Sequence, residues 1–346
     1  MSKETPLVKK RSISVYVAVV YVLFIVAVLE IWARSYYSIS RNANFFAKPG
    51  DLVYMWYPEL KNSDRYEYDP DKFNVLLMGG SALTSQWGKI PEYISSVGQK
   101  AMGKEIRVVN LAAAAHSSLD SFYKYRETLD KRFDMVVIYH AINETRANNV
   151  PPELFRSDYS HYAWYEEINW YFKHPTLRKS FFLFPYFTKH LFEQLKREVL
   201  FRNNYVPQHS PKKEWLTFGK DVKTRVSFEK NYRNIVEVAD RKKEPLILMT
   251  FAYSVTRYLN ASAGREKSFI DIFGDPDNVV LGIEVHNGII RSLAGEFNSF
   301  FVDQWKYLSQ KDDNFSDICH FSDEGSKVFA ENIFKYVKDK EPWVVR

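Results

Sequence analysis

The sequence predicts an α/β protein: a parallel sheet with helices on both faces, following an N-terminal membrane-spanning helix. Three observations predict it. Short apolar runs alternate with longer segments of helical period. Small and polar residues suited to chemistry fall just past the ends of those runs, where ligands bind in open parallel sheets. A long uncharged stretch behind a basic flank opens the chain.

That stretch comes first in order. No residue from Ser12 to Leu29 is charged, and Ile13–Trp32 is mostly Val, Ile, Leu, Ala, Phe and Tyr. It has about the 20 residues a helix needs to cross roughly 30 Å of hydrocarbon. Lys3, Lys9, Lys10 and Arg11 precede it, so the positive-inside bias predicts a cytoplasmic tail over 1–11, an anchor over 12–34 and the remainder outside. The segment from Leu29 to Arg34 offers no small-x-small cleavage site, which favours an uncleaved anchor over a signal peptide. Trp32, Tyr36 and Tyr37 suit the membrane interface. Residues 35–70 read as a lead-in and 71–346 as the folded domain, with an insertion over 150–218.

Strands are expected at Asn74–Met78, Arg107–Leu111, Met135–Tyr139, Pro245–Phe251 and Phe300–Val302. Helical patterns lie between and after them at Ser118–Lys131, Asp221–Lys242, Val285–Phe297 and Asp323–Lys338. Residues 150–218 interrupt the alternation and are rich in aromatics, among them Tyr159, Trp164, Trp170 and Phe181. Three readings stand for this insertion: packing of a helical subdomain, a substrate-stacking cap, or an amphipathic segment lying on the membrane. The last draws on Arg178, Lys179, Lys189, Lys196, Arg197 and Arg202 among the aromatics.

The first expected strand runs into Gly79-Gly80-Ser81, a tight turn that leaves a serine just past the strand end. A serine hydroxyl needs a base within hydrogen-bond reach and a third group to hold that base in the right tautomer. His320 and Asp317, spaced so that one loop presents both, are candidates for that pair. A Gly-Gly-Ser turn alone is most often only a turn, and an Asp-x-x-His alone only a helix start. Two further segments strengthen the pairing: Asn110 to Ser118, and Tyr139 to Glu144, each at a strand end.

In order and spacing these four segments resemble the blocks of the SGNH/GDSL hydrolase superfamily, in its membrane-anchored form with Gly-Gly-Ser in the first block. The resemblance covers roughly residues 70–150 and 235–340. It implies a flavodoxin-like three-layer α/β/α fold with Ser81, Asp317 and His320 catalytic. It also implies an oxyanion hole formed by the Ser81 N–H, the Ala112 N–H and the Asn143 side-chain amide. Alanine stands at Ala112 and Ala141 where the family usually has glycine. The implied activity is hydrolysis of O-acyl esters, O-acetyl esters included, on extracytoplasmic glycans or lipids. Two alternatives are an O-acetyltransferase of the same architecture acting on envelope or secreted polysaccharide, and an inactive scaffold or glycan-binding module.

The 346 residues carry a net charge of +6 and a single cysteine, Cys319, which excludes an intrachain disulfide. Cys319 is expected to point away from the His320 ring. His116 and His140 border the middle blocks and are expected to satisfy local backbone groups. No HExxH or Cys/His ligand spacing occurs, so neither metal nor cofactor is expected. The expected partners are an acyl-ester substrate, the membrane and proteins of polysaccharide assembly; nucleic acid is not expected for a domain outside the cytoplasm.

Overall fold

The computed structural model describes residues 15–200, 206, 211–257 and 269–339, so the expected tail over 1–11 lies outside the described residues. In chain order the longer helices are α1 (Val15–Arg41), α2 (Ile90–Met102), α3 (Ser118–Arg126), α4 (Ala163–Lys173), α5 (Phe184–Leu195), α6 (Thr224–Lys242), α7 (Pro276–Glu296) and α8 (Asp323–Asp339). The chain forms two compact units: Met1–Trp56 with Lys173–Phe201, and Tyr57–Phe172 with Arg202–Arg346. The stretch 150–218 is therefore shared between them.

In the first unit, α1 is long and apolar enough to cross a membrane, with a window of mean hydropathy 2.5 and none of that window buried. The helix continues past the apolar span. Its last turns bury Ala33 and Tyr37, and Trp32 and Tyr36 pack their rings on Phe187 of α5.

In the second unit, β1 (Phe73–Gly79), β2 (Ile106–Asn110), β3 (Met135–Tyr139), β4 (Leu246–Met249) and β5 (Phe300–Val302) form one sheet. Its order is β2-β1-β3-β4-β5, and every neighbouring pair is parallel. This is the doubly wound order whose strand ends frame a ligand crevice. Val75 and Leu77 join a core with Ile90 and Ile94 of α2 and Phe329 and Ile333 of α8. Leu76 and Met78, which alternate to the opposite face, are equally buried. Burial on both faces is why these strands read as continuous apolar runs rather than alternating ones.

The helix ends depart from the sequence expectation for local reasons. α3 stops at Arg126 rather than Lys131, and Thr128 turns its hydroxyl back onto the Tyr125 carbonyl. α7 starts at Pro276 rather than Val285, because Asp275 caps it by accepting from the Asp277 N–H and Pro276 suits the first turn. α2 has no counterpart in the sequence reading, although Pro91 in its first turn and Gly103 in the left-handed region after its end are helix signals.

The loop from Asn314 to Ser322 closes on itself. The Ser316 N–H donates to the His320 carbonyl at 2.8 Å, the Ser322 N–H donates to the Asn314 carbonyl at 2.9 Å, and Phe315 bridges Phe321. The Ser254 N–H, beyond β4, donates to the Ile318 carbonyl at 2.8 Å and so ties this loop to the sheet edge. A Cβ at Gly325, in the first turn of α8, would lie 2.0 Å from the Asn314 carbonyl oxygen. Backbone cannot rotate away as a side chain can. Gly325→Ala is therefore expected to destabilise the protein by roughly 1–3 kcal/mol or more, the cost of overpacking. Chemical denaturation of the purified full chain checks this; an unchanged midpoint would show that α8 can slide away from the loop.

Candidate active site

The site is assembled at the carboxyl ends of three adjacent strands. In the ladder Gly79 stands opposite Tyr139, so the chain leaves β1 and β3 at one level, while β2 ends opposite Leu77 and its exit runs on beside β1 with the Leu111 and Ala113 N–H groups donating to the Leu77 and Gly79 carbonyls. Ser81 opens a short 3-10 turn, Ser81–Leu83, and its N–H has no acceptor within that turn. Gly80 is required by a close approach: a Cβ there would lie 2.6 Å from Asn143 Nδ2.

The structure brings Ser81, His320 and Asp317 together. His320 Nε2 lies 2.7 Å from Ser81 Oγ, and His320 Nδ1 lies 2.6 Å from Asp317 Oδ2. Asp317 Oδ1 accepts from the backbone N–H groups of Cys319 and His320 at 3.0 and 2.9 Å, which locks the carboxylate's rotamer. Burial alone would raise the Asp317 carboxyl, but the hydrogen bond and charge of His320 outweigh it and hold the group below the ordinary carboxylate value. An ionised carboxylate only accepts, so the Nδ1 facing it carries the proton and Nε2 is left to accept from Ser81. Trp87, six residues past the serine in sequence, stacks on the His320 ring with centroids 4.5 Å apart and 20° between planes.

Asn143 donates from Nδ2 to the His116 carbonyl at 2.8 Å, and its other amide hydrogen has no acceptor among the described residues. Ala112 requires a correction. Its N–H donates to Asn110 Oδ1 at 2.8 Å, so the amide is already committed and is not a free oxyanion donor. The left-handed residue of this segment is Ala115, at φ 66°, next to His116.

Cys319 also differs from expectation. Its sulfur lies within 4.8 Å of ligand atoms of Asp317 and His320 and lines a recess beside Ser81. That trio has the crowding of a metal site but not its chemistry. Both His320 nitrogens and both Asp317 oxygens are engaged, and burial pushes the Cys319 thiol up, away from the thiolate a metal needs. His140 lines the same recess, holds Ser121 Oγ at 2.7 Å from Nε2, and is kept neutral by burial, its pKa lowered to about 3.

Behind Ser81 runs a buried polar layer that sequence reasoning missed. Lys124, fully buried on α3, directs its three donors to Glu59 Oε1 at 3.0 Å, the Leu111 carbonyl at 2.5 Å and His116 Nδ1 at 3.0 Å. Burial, then the Lys124 charge, lowers His116 to about 4 and keeps it an acceptor. Arg146 donates to the Asn143 carbonyl at 3.2 Å and the Ala115 carbonyl at 2.7 Å, which fastens the second and third strand-end loops together. Glu144 accepts from the Ser118 N–H at 2.5 Å, and burial raises its carboxyl to about 7. The only sequence signal for this layer was the density of Lys, Glu, His and Asp between 116 and 146 on segments otherwise patterned as core.

No family model and no curated protein matches the chain. Among solved structures it is similar to a GDSL-like lipase from Bacteroides thetaiotaomicron (13% identity, 85% of this chain and 98% of that one, TM-score 0.45) and to an acetyl xylan esterase (14%, 76% and 99%, TM-score 0.44). A catalytic mutant of an acetylxylan esterase from Geobacillus stearothermophilus is similar at 15% identity over 79% and 96%, TM-score 0.42. At these identities the likeness concerns the chain trace, and the chemistry is carried by the residues themselves.

Two outcomes follow from the buried layer. Lys124→Met leaves Glu59 without its cation and is expected to cost about 3–5 kcal/mol of stability, as for one partner removed from a buried pair; a denaturation midpoint within error of wild type would contradict this. Glu144 has a folded pKa of about 7 against an ordinary 4.5, so the native state holds the extra proton between those values. Its contribution to stability is present below about pH 4.5 and lost as pH rises to about 7, by up to about 1.4 kcal/mol per pH unit. Glu144→Gln keeps the acceptor for Ser118 and is expected to flatten that slope, read as thermal midpoint against pH beside wild type.

Proposed function

We propose that this chain is a membrane-anchored serine ester hydrolase of SGNH/GDSL type that cleaves O-acyl esters on the extracytoplasmic side. The observation that carries the reading is the continuous hydrogen-bond chain from Asp317 through His320 to Ser81, with the Asn143 amide beside it. As Ser81 Oγ attacks the acyl carbonyl, its proton passes to His320 Nε2, and Asp317 stabilises the imidazolium that forms. The Ser81 N–H and the Asn143 amide donate to the carbonyl oxygen as it becomes an oxyanion. His320 then protonates the departing alkoxide. Water, deprotonated by His320, attacks the acyl-serine and releases the acid and the free serine.

The recess beside Ser81 supports a short acyl group, acetyl being the simplest. It is lined by Ala82, Tyr139, Ala141, Ile142, Phe251 and Cys319 and leaves little free space beside the nucleophile. The uncleaved anchor is supported by the packing of Trp32, Ala33, Tyr36 and Tyr37 into the first unit, contacts a cleaved signal sequence would not make. The basic residues before α1 favour a cytoplasmic N-terminus.

A serine-reactive fluorophosphonate is expected to label the wild type and not Ser81→Ala, and Ser81→Ala is expected to lose several orders of magnitude of short-chain esterase turnover. Full activity in Ser81→Ala would refute the nucleophile. Labelling without hydrolysis, but with acyl transfer to added oligosaccharide, would favour the transferase, and absence of labelling the scaffold. Asn143→Ala is expected to lower kcat by roughly 10²–10³ with little change in KM. Trp87→Ala, by removing the aromatic face against the imidazolium, is expected to lower kcat about five-fold, a loss of about 1 kcal/mol, with Trp87→Phe retaining most of it. A C-terminal reporter active only in the cytoplasm would overturn the orientation.

A further inference from the structure

The first unit carries a feature that an anchor helix does not need. Glu30 stands in α1 between Leu29 and Ile31, where the apolar span ends, and Arg34 follows one turn later. Their side chains pair at 2.7 Å and are mostly buried. Arg34 also donates to the carbonyls of Phe45 at 2.8 Å, Ala47 at 3.2 Å and Phe181 at 2.8 Å. Glu30 Oε2 accepts from the Leu183 and Phe184 N–H groups at 2.8 and 3.1 Å, where α5 begins. A single ion pair at the end of the apolar span thus clasps two loops, each tipped with a pair of phenylalanines.

Those phenylalanines face outward: Phe46 is 81% exposed and Phe181 71%, with Phe45 and Phe182 also exposed. α5 continues the pattern. One stripe, Tyr186, Phe187 and His190, is buried, with Phe187 and His190 against α1 and the Tyr36 hydroxyl 2.7 Å from His190 Nε2. A second stripe of helical spacing, Leu191, Phe192, Leu195 and then Val199, is exposed. An amphipathic helix buries one stripe; a second apolar stripe calls for an apolar phase. The segment from Lys173 to Phe201 carries six Lys or Arg against two Glu, the charge balance suited to anionic headgroups.

We propose that the loops bearing Phe45–Phe46 and Phe181–Phe182, with the outer stripe of α5, form a foot that inserts at the interface of the bilayer crossed by α1. This rests on α1 as a membrane-crossing helix and is independent of the esterase reading. The occupant is lipid because the exposed phenylalanines are held at the very turn where the exposed apolar surface of α1 ends, so one lipid phase covers both. The clasp also accounts for Glu30 at that depth: its charge is paired with Arg34, and its Oε2 accepts from two backbone N–H groups.

The test uses the full chain reconstituted into vesicles of phosphatidylcholine and phosphatidylglycerol. Single cysteines replace Phe46, Phe181, Phe192, Val20 or Leu129 and carry an environment-sensitive fluorophore; the native Cys319 is buried. Labels at 46, 181 and 192 are expected to shift to the blue, to be quenched by lipid nitroxide near the headgroup end and to be shielded from aqueous iodide. Val20 should be quenched by a mid-chain nitroxide, and Leu129, exposed on the sheet unit, by iodide. If 46, 181 and 192 are quenched by iodide like Leu129 while Val20 meets lipid, the foot is refuted and the anchor stands. If they are shielded from iodide but meet no lipid nitroxide, a protein surface covers them and the proposal fails. If Val20 itself is open to iodide, α1 does not cross the bilayer and both readings fall.

Discussion

The alignment of β1 with its two neighbours is the constraint on which the rest of the sheet unit depends. A parallel ladder in which Gly79 faces Tyr139 releases β1 and β3 at one level, and the exit of β2, which ends opposite Leu77, is held along β1 by the Ala113 N–H on the Gly79 carbonyl. Each departs with a small residue or a turn: Gly80 after β1, Leu111 and Ala112 after β2, Ala141 after β3. A slip of one residue in the pairing of β1 with β3 would move Ser81 by about 3.3 Å relative to Asn143 and turn its neighbours to the other face of the sheet. The Asn143 amide fits against Gly80 only because no Cβ is there. The fourth participant comes from 239 residues further along the chain, on a loop closed by its own backbone and tied to the exit of β4.

Precision at the strand ends is bought with buried polar groups. Lys124, Glu59, His116 and Arg146 link the loops after β2 and β3 through carbonyl oxygens rather than through apolar packing. Carbonyls held in this way cannot drift without leaving a buried cation unsatisfied, which is far more costly than losing a van der Waals contact. Asn143 is thereby held at both ends, by its own amide on His116 and by Arg146 on its carbonyl. Such support keeps hydrogen-bond donors in place before charge develops, which is where electrostatic catalysis gains its advantage over water.

The N-terminal unit uses the same device for a different end. There the pair Glu30 and Arg34 holds backbone groups of two loops at once, and each charge is balanced by the other where burial would penalise an isolated one. In both units a charged side chain organises irregular backbone, and apolar residues then occupy the surfaces that this backbone presents.

The strands and their parallel arrangement were legible in the sequence because a strand buried on both faces is apolar throughout: Met135–Tyr139 falls where the composition alone puts it. The apolar span of α1 was legible for the same reason, since length and hydropathy are properties of consecutive residues. Ser81, Asn143, Asp317 and His320 were legible as candidates because each sits at a strand end or in a short spacing motif. What consecutive residues do not encode is which groups meet across the sheet. The commitment of the Ala112 N–H to Asn110, the left-handed turn at Ala115 rather than Ala112, the Trp87 ring on His320 and the approach of the Cys319 sulfur to the imidazole are decided by loop closure in three dimensions. Nothing in the sequence sets Glu30 or Lys124 apart from other charged residues on helices. Only the tertiary structure made them clasps, because the backbone carbonyls and N–H groups they hold beside their charged or polar side-chain partners are present in every sequence and marked by no sequence pattern.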